Sequence, residues 1–192
     1  PRVMDALSQD ILTAFADIVG PGNVLTGDDA LPYGTDWTGA YGGVQLEYGD
    51  VGLSGAVSED GTGGLAGVFA GYRYDFGQFV IGGEIDLNAA DIDLPGGVDG
   101  SLDAVYRAGL EAGFDAGPAL IYGTIGYAYA EATSAGTELS DDGYFFGIGL
   151  DYAVTDQITV GGEILQHEFE DFDGTGLDID ATTIGVNVAY RF

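Results

Sequence analysis

From residue 182 to the C-terminal Phe192, apolar and small or polar side chains take turns. Ile184, Val186, Val188, Tyr190 and Phe192 share one phase, and Thr183, Gly185, Asn187, Ala189 and Arg191 the other. Period-two alternation is the mark of a strand whose two faces meet different surroundings. The same rhythm recurs upstream, predicting eight strands at 37–48, 64–76, 79–88, 102–114, 119–130, 143–154, 157–169 and 182–192. In the first, Val44, Leu46 and Tyr48 oppose Gln45 and Glu47. In the third, Phe79, Ile81, Gly83, Ile85 and Leu87 oppose Val80, Gly82, Glu84 and Asp86. In the fourth, Leu102, Ala104, Tyr106, Ala108 and Leu110 oppose Asp103, Arg107, Gly109 and Glu111. In the sixth, Tyr144, Phe146, Ile148, Leu150 and Tyr152 oppose Gly147, Gly149 and Asp151.

The connections alternate in length. Gly77-Gln78, Asp115–Gly117 and Thr155-Asp156 are tight turns, while 49–63, 89–100, 131–142 and 170–178 read as longer, acidic loops. An even number of strands joined in this alternating way predicts an all-β fold: an eight-stranded antiparallel up-and-down β-barrel. No stretch approaches the 18 or so apolar residues of a membrane helix, so a membrane-spanning reading requires a closed barrel.

Residues 1–36 follow a different period. Met4, Leu7, Ile11, Phe15, Ile18 and Val19 recur at helical spacing, and Gly20-Pro21-Gly22 stops the pattern. This predicts a short N-terminal amphipathic helix and a linker ahead of a barrel at 37–192. The segment lacks the charged start, apolar core and cleavage site of a secretory signal, so an exported protein would be represented here by its mature or an engineered form. Ile18–Thr26, Leu31-Pro32-Tyr33 and Thr35-Asp36-Trp37 resemble the N-terminus of FAD-linked oxidases of the D-lactate and glycolate type. The flavin-binding body of that family has no counterpart in the remaining sequence, and no flavin is inferred.

Composition sharpens the picture. The 192 residues include 35 Gly, 12 Tyr and 10 Phe, suited to tight turns, a crowded barrel interior and interfacial girdles. There is no Cys, hence no disulfide or thiolate metal site. Four basic residues, all Arg, stand against 32 acids, for a net charge of -28. Such a surface repels nucleic acid and favours divalent cations or a basic partner.

Residues 37–192 resemble the opacity-protein-like and outer-membrane-protein-A-like β-barrels. The resemblance rests on Asp36–Gly43 at the first strand, Gly71-Tyr72-Arg73-Tyr74-Asp75, Gly82-Gly83-Glu84 and the closing Tyr190-Arg191-Phe192. It implies a non-enzymatic transmembrane barrel in a bacterial outer membrane, set in lipid and lipopolysaccharide. A terminal aromatic serves such barrels as an assembly signal, so Phe192 is the expected contact with the barrel-assembly machinery. The implied functions are surface interaction through acidic loops or, alternatively, a narrow pore. A soluble calcium-dependent β protein fits less well with the apolar outer phase and the closing Tyr-Arg-Phe.

Three arginines, Arg73, Arg107 and Arg191, lie on the polar phase with Glu47, Glu84, Glu111 and Glu163. An unpaired guanidinium inside a narrow barrel is costly, so these residues predict a luminal network of Arg–carboxylate pairs, packing the interior or gating a pore. The acidic stretch 170–180 carries Asp171, Asp173, Asp178 and Asp180 around a Gly turn, a weak match to the oxygen-ligand spacing of calcium loops. Asp91, Asp93 and Asp99 form a second such stretch. Ca²⁺ or Mg²⁺ there is the one metal the sequence suggests, and no other cofactor is expected. His167, the only His, reads as a hydrogen-bonding residue near the rim. Outer-membrane lipid A deacylases pair a strand His with a Ser, and His167 has no Ser nearby. Trp37 and the tyrosines of the apolar phase are expected as interface anchors.

Overall fold

The computed structural model describes residues 35–54, 59–93, 100–134, 136–169 and 178–192. The expected helix lies outside the described residues. Eight strands follow: β1 (Gly39–Ser54), β2 (Glu59–Asp75), β3 (Phe79–Asp93), β4 (Gly100–Asp115), β5 (Ala119–Ser134), β6 (Thr137–Ala153), β7 (Ile158–Phe169) and β8 (Asp178–Arg191). Each pairs antiparallel with the next, and β8 returns to β1, closing the barrel. The closing register runs from Tyr41 opposite Arg191 to Ser54 opposite Asp178.

One end of the barrel, the base, carries the short turns. Phe76 N–H donates to Phe79 O at 2.8 Å, and Ala116 N–H to Ala119 O at 2.8 Å. Each closes a two-residue hairpin. Their first central residues, Gly77 and Gly117, have φ of 107° and 80°, a region open to glycine and strained for other residues. In the third turn, Thr155 Oγ1 accepts from the N–H groups of Gln157 and Ile158.

At the other end, the rim, the strands run further than the hydrophobic pattern indicates. Most of the expected loop 131–142 is strand: β5 continues to Ser134 and β6 begins at Thr137, with Gly136 at φ 79° between them. The pattern changes there because the two faces exchange character. Near the base, β1 sends Val44, Leu46 and Tyr48 outward and Gln45 and Glu47 inward. Beyond Tyr48, Asp50 points out and Val51 points in. β5 and β7 repeat the exchange, with Glu131, Gln166 and Glu168 outside and Ala130, Ala132, Leu165 and Phe169 inside. The lower barrel is thus apolar outside with a polar interior, and the rim is polar outside around an apolar core.

A β-bulge helps make the exchange. The β4–β5 register shifts between Leu102 and Ala104, and an extra residue reverses which face a side chain takes. Asp103 is therefore exposed, whereas Leu102 packs on the rim clusters, against Phe145 and Phe169 and against Ile92 and Val105. This corrects the simple alternation, which placed Leu102 outside and Asp103 inside.

Trp37 is also corrected. It is not an interface anchor but sits 2 % exposed inside the base, packed with Val80, Leu120 and Tyr122. Its N–H donates to Asp75 Oδ2 at 3.2 Å and its indole N–H to Gly117 O at 3.3 Å. Arg191 lies over the indole with its guanidinium carbon 5.0 Å from the ring centre.

An eight-stranded barrel has only enough interior for its own side chains. Here many large luminal residues face a glycine directly across the ladder: Tyr41 with Gly71, Phe69 with Gly43, Tyr122 with Gly149 and Leu165 with Gly147. A β-carbon on Gly149 would lie 2.2 Å from the Tyr122 ring, and one on Gly71 2.4 Å from the Tyr41 hydroxyl. Gly149→Ala should therefore destabilise the barrel by about 1–3 kcal/mol, as overpacking does. The temperature at which the folded band converts to the unfolded one in SDS gels should drop. Adding Tyr122→Leu should recover part of the loss, whereas an unchanged conversion temperature in Gly149→Ala would contradict the packing described.

Candidate functional site in the barrel lumen

Between the Trp37 layer and the apolar rim core, the lumen holds a polar network built on two arginines. Arg73 comes from β2. Its Nε donates to Glu111 Oε2 at 2.7 Å, Nη2 to Glu111 Oε1 at 3.2 Å and Nη1 to Asp151 Oδ2 at 2.6 Å. It lies between the rings of Tyr41 and Tyr122, 4.4 and 5.1 Å from their centres. Arg107 comes from β4. It donates to both oxygens of Glu47, at 3.1 and 2.5 Å, and to Asp86 Oδ1 at 3.1 Å. Glu163 Oε1 lies 3.9 Å from the same guanidinium. Gln45 bridges Asp86 and Asn88 at 2.9 and 2.8 Å. Period-two alternation places all these groups inward, and closure of the sheet brings six strands to bear on two cations.

Of the residues expected in this network, Arg73, Arg107, Glu47, Glu111 and Glu163 meet as ion pairs. Glu84 lies on the same polar phase of β3, opposite Gly71 of β2 and Gly109 of β4. Arg191 is elsewhere: it is at the base, where it hydrogen-bonds the Asp36 carbonyl and covers Trp37. The position explains this, because Arg191 ends its strand and the chain crosses the barrel mouth just below it. Asp86 and Asp151 belong to the network although the list of luminal partners drawn from the sequence left them out. Both lie on the polar phase of their strands, the same signal that located the glutamates. His167 is buried at 3 % exposure and packs on Phe145, with ring centres 5.8 Å apart. It sits among the apolar side chains of the rim core.

The acidic stretches fall partly outside the described residues, which do not include Asp171, Asp173 and Asp99. Asp178 opens β8, and Asp180 is exposed two residues later. Among the described residues, no three carboxylate or imidazole groups converge where they could hold a metal ion.

The outer face of the rim forms a second polar zone. Asp50, Asp91, Asp103, Glu131, Asp142, Glu168 and Asp180 project from seven different strands, just beyond the apolar band. Tyrosines at the edge of the band reach up to them: Tyr106 donates to Glu131 at 3.4 Å, and Tyr144 hydrogen-bonds Glu168. Asp103 accepts from Thr133 at 2.6 Å and from Ser101 at 2.9 Å. These bonds hold its carboxyl below the usual carboxylate range. Glu168 and Asp180 stand directly opposite each other across β7 and β8. Among the described residues, all three arginines lie inside the barrel or at its base, so this zone has no basic neighbour. At the base, Asp115 is pushed above the usual range, chiefly by burial and secondarily by the charges of Asp75 and Asp36.

Residues 28–192 match the family described as "Outer membrane protein beta-barrel domain". The chain is 32% identical over 154 residues to the "22 kDa outer membrane protein" of Rhizobium leguminosarum bv. viciae, covering 76% of this chain and 69% of that protein. Its fold is similar to Neisserial surface protein A, with a TM-score of 0.58, 17% identity, and coverage of 80% of this chain and 99% of the other. It is also similar to Ail, the attachment invasion locus protein of Yersinia pestis, with a TM-score of 0.54, 17% identity, and coverage of 81% and 99%. Ail has further been solved in complex with the heparin analogue sucrose octasulfate; that structure matches at a TM-score of 0.51, 17% identity, and coverage of 80% and 99%. An exposed apolar band on a closed barrel, with polar groups turned inward, is the arrangement these relationships describe: the chain belongs to the outer-membrane β-barrel family and resides in the bacterial outer membrane.

Proposed function

We propose that this barrel is a surface-interaction protein that presents a ring of carboxylates just outside the membrane. In barrels of this kind the short turns face the periplasm, which places the rim at the cell exterior. The apolar band then sits in outer-membrane lipid, with lipopolysaccharide around the rim, and Phe192 at the base addresses the barrel-assembly machinery.

The observation that carries the reading is the rim itself: seven outward carboxylates from seven strands, with no basic group beside them among the described residues. Like charges directly opposite in an antiparallel pair are destabilising, yet Glu168 faces Asp180. A cationic partner would relieve that repulsion, so a basic protein or peptide segment is the class of ligand that fits. The ligand seen with Ail is a polyanion, and the charge of the present rim opposes such a ligand.

The barrel in vesicles should bind an oligoarginine peptide with an affinity that falls as salt rises. Heparin should not bind. Replacing Glu131, Glu168 and Asp180 with their amides should weaken the peptide at least tenfold while leaving the heat-dependent gel shift intact. Equal binding by that variant, or tight binding of heparin, would sink the proposal.

The alternative is a narrow pore gated by the Arg–carboxylate network. The filled interior speaks against it: Trp37 occupies the base, the ion pairs occupy the middle, and Phe145, Leu165 and Phe169 occupy the rim core. Planar bilayers containing the purified protein should show no discrete conductance steps at neutral pH, and reproducible steps would favour the pore. Removing a buried cation should instead cost stability. Arg107→Ala leaves Glu47 and Asp86 without their partner and should lower stability by about 3–5 kcal/mol in urea titrations.

A further inference from the structure

The single histidine of the chain lies inside the rim. Its depth follows from the register. His167 stands opposite Ala181 of β8, and Ala181 opposite Val51 of β1, one step beyond the outward Asp50. The imidazole is therefore above the lipid-facing band, yet it is shut off from water. Across the ladder it has Phe145 on one side and Ala181 on the other. The inward residues before and after it on β7 are Leu165 and Phe169. Neither ring nitrogen has a hydrogen-bond partner among the described residues.

The titratable groups on the inward phase around it are Arg107 from β4, Glu47 from β1, Glu163 from its own strand and Asp141 from β6. Glu47 is engaged by Arg107, and Glu163 lies beside the same guanidinium. Asp141 is nearer the open end, opposite Ala130 of β5. Phe145 spans the space between the imidazole and Arg107, with its ring centre 5.8 Å from the His167 ring and 5.9 Å from the Arg107 guanidinium carbon. A neutral imidazole is tolerated among these rings. An imidazolium would lack an acceptor and water, and would face the like charge of Arg107. In an opened rim the same ring meets water and takes up a proton with an ordinary midpoint of about 6.5. Above that pH the closed and opened rims hold the same number of protons at His167. Below it the opened rim holds one more, so the closed rim loses stability as the pH falls.

We propose that His167 is an acid-sensitive latch on the rim. Neutral, it lets β6, β7 and β8 close over the apolar core. Protonated, it holds them apart above the lipid-facing band while the lower barrel stays intact. Each pH unit below the midpoint multiplies the opened fraction about tenfold, reaching about thirtyfold near pH 5. Glu168 and Asp180 project from the other face of the same strands, so opening also disturbs the spacing of the carboxylate ring. That last consequence rests on the proposed function, whereas the opening itself does not.

Hydrogen exchange of the full-length barrel in vesicles tests the latch without any ligand. After correction for intrinsic rates, amides around Phe145, His167 and Ala181 should open about thirtyfold more between about pH 8 and about pH 5, and amides of the lower barrel should not. His167→Phe keeps an aromatic ring in the core and removes the titration, so its rim should show no such rise. A flat wild-type profile would overturn the proposal. So would an equal rise in His167→Phe, which would assign the effect to a carboxyl such as that of Asp141 or Glu163. The lone imidazole also gives a direct reading by proton NMR of the wild type. Its ring signal should hold its position across this range in the closed rim. An ordinary titration near pH 6.5 with the rim amides still protected would refute the latch without recourse to any variant.

Discussion

The interior volume of a closed eight-stranded barrel is the constraint from which the rest of this structure follows. Eight strands enclose little more space than their own inward side chains require, and every second residue must point inward. Large groups therefore need a missing neighbour, and glycine across the ladder provides it. Tyr41 over Gly71 and Tyr122 over Gly149 are not isolated accommodations. They set the two rings between which Arg73 is held, and so determine where Glu111 and Asp151 must converge. The ion pairs are in this sense a consequence of packing. A guanidinium that cannot reach water must find carboxylates at the distances the ring positions allow.

The inversion of polarity along each strand sets the depth at which the barrel sits. A membrane-spanning strand needs roughly 9–11 residues, whereas β2 and β6 have 17 each. The surplus does not become unsupported loop. It continues as sheet around an apolar core of Val51, Leu65, Ile92 and Val105 on one side, and Phe145, Leu165 and Phe169 on the other. The molecule is thus a lipid-solvated barrel continuous with a water-solvated one. Asp50, Asp91 and Glu131 mark the boundary, because none of them tolerates transfer into hydrocarbon.

Much of this was legible in the sequence, and the remainder was hidden for definite reasons. Strand number, the glycine turns and the outward phase of residues such as Val44, Ile85, Leu110 and Ile148 followed from alternation alone. The rim strands did not, because past the boundary the pattern continues with its signs reversed, and short polar runs such as 131–142 look like loop. The bulge at Asp103 was invisible because an extra residue leaves no mark on composition. Trp37 was misplaced because alternation does not say that the chain enters the barrel across its open base. Asp86 and Asp151 needed only the rule that found Glu84 and Glu111, applied to every acid on the inward phase. The partners of each arginine depend on barrel curvature, and no one-dimensional pattern carries that.

Trp37 is the only indole in the chain, and its surroundings come from far apart in the sequence. Asp75 ends β2, Gly117 lies in the turn after β4, Leu120 and Tyr122 belong to β5, and Arg191 ends β8. These groups enclose the ring together only when the sheet has closed on itself. The protein therefore carries a native optical reporter at its seam. The ultraviolet emission of this one residue registers barrel closure as an event distinct from the formation of individual hairpins.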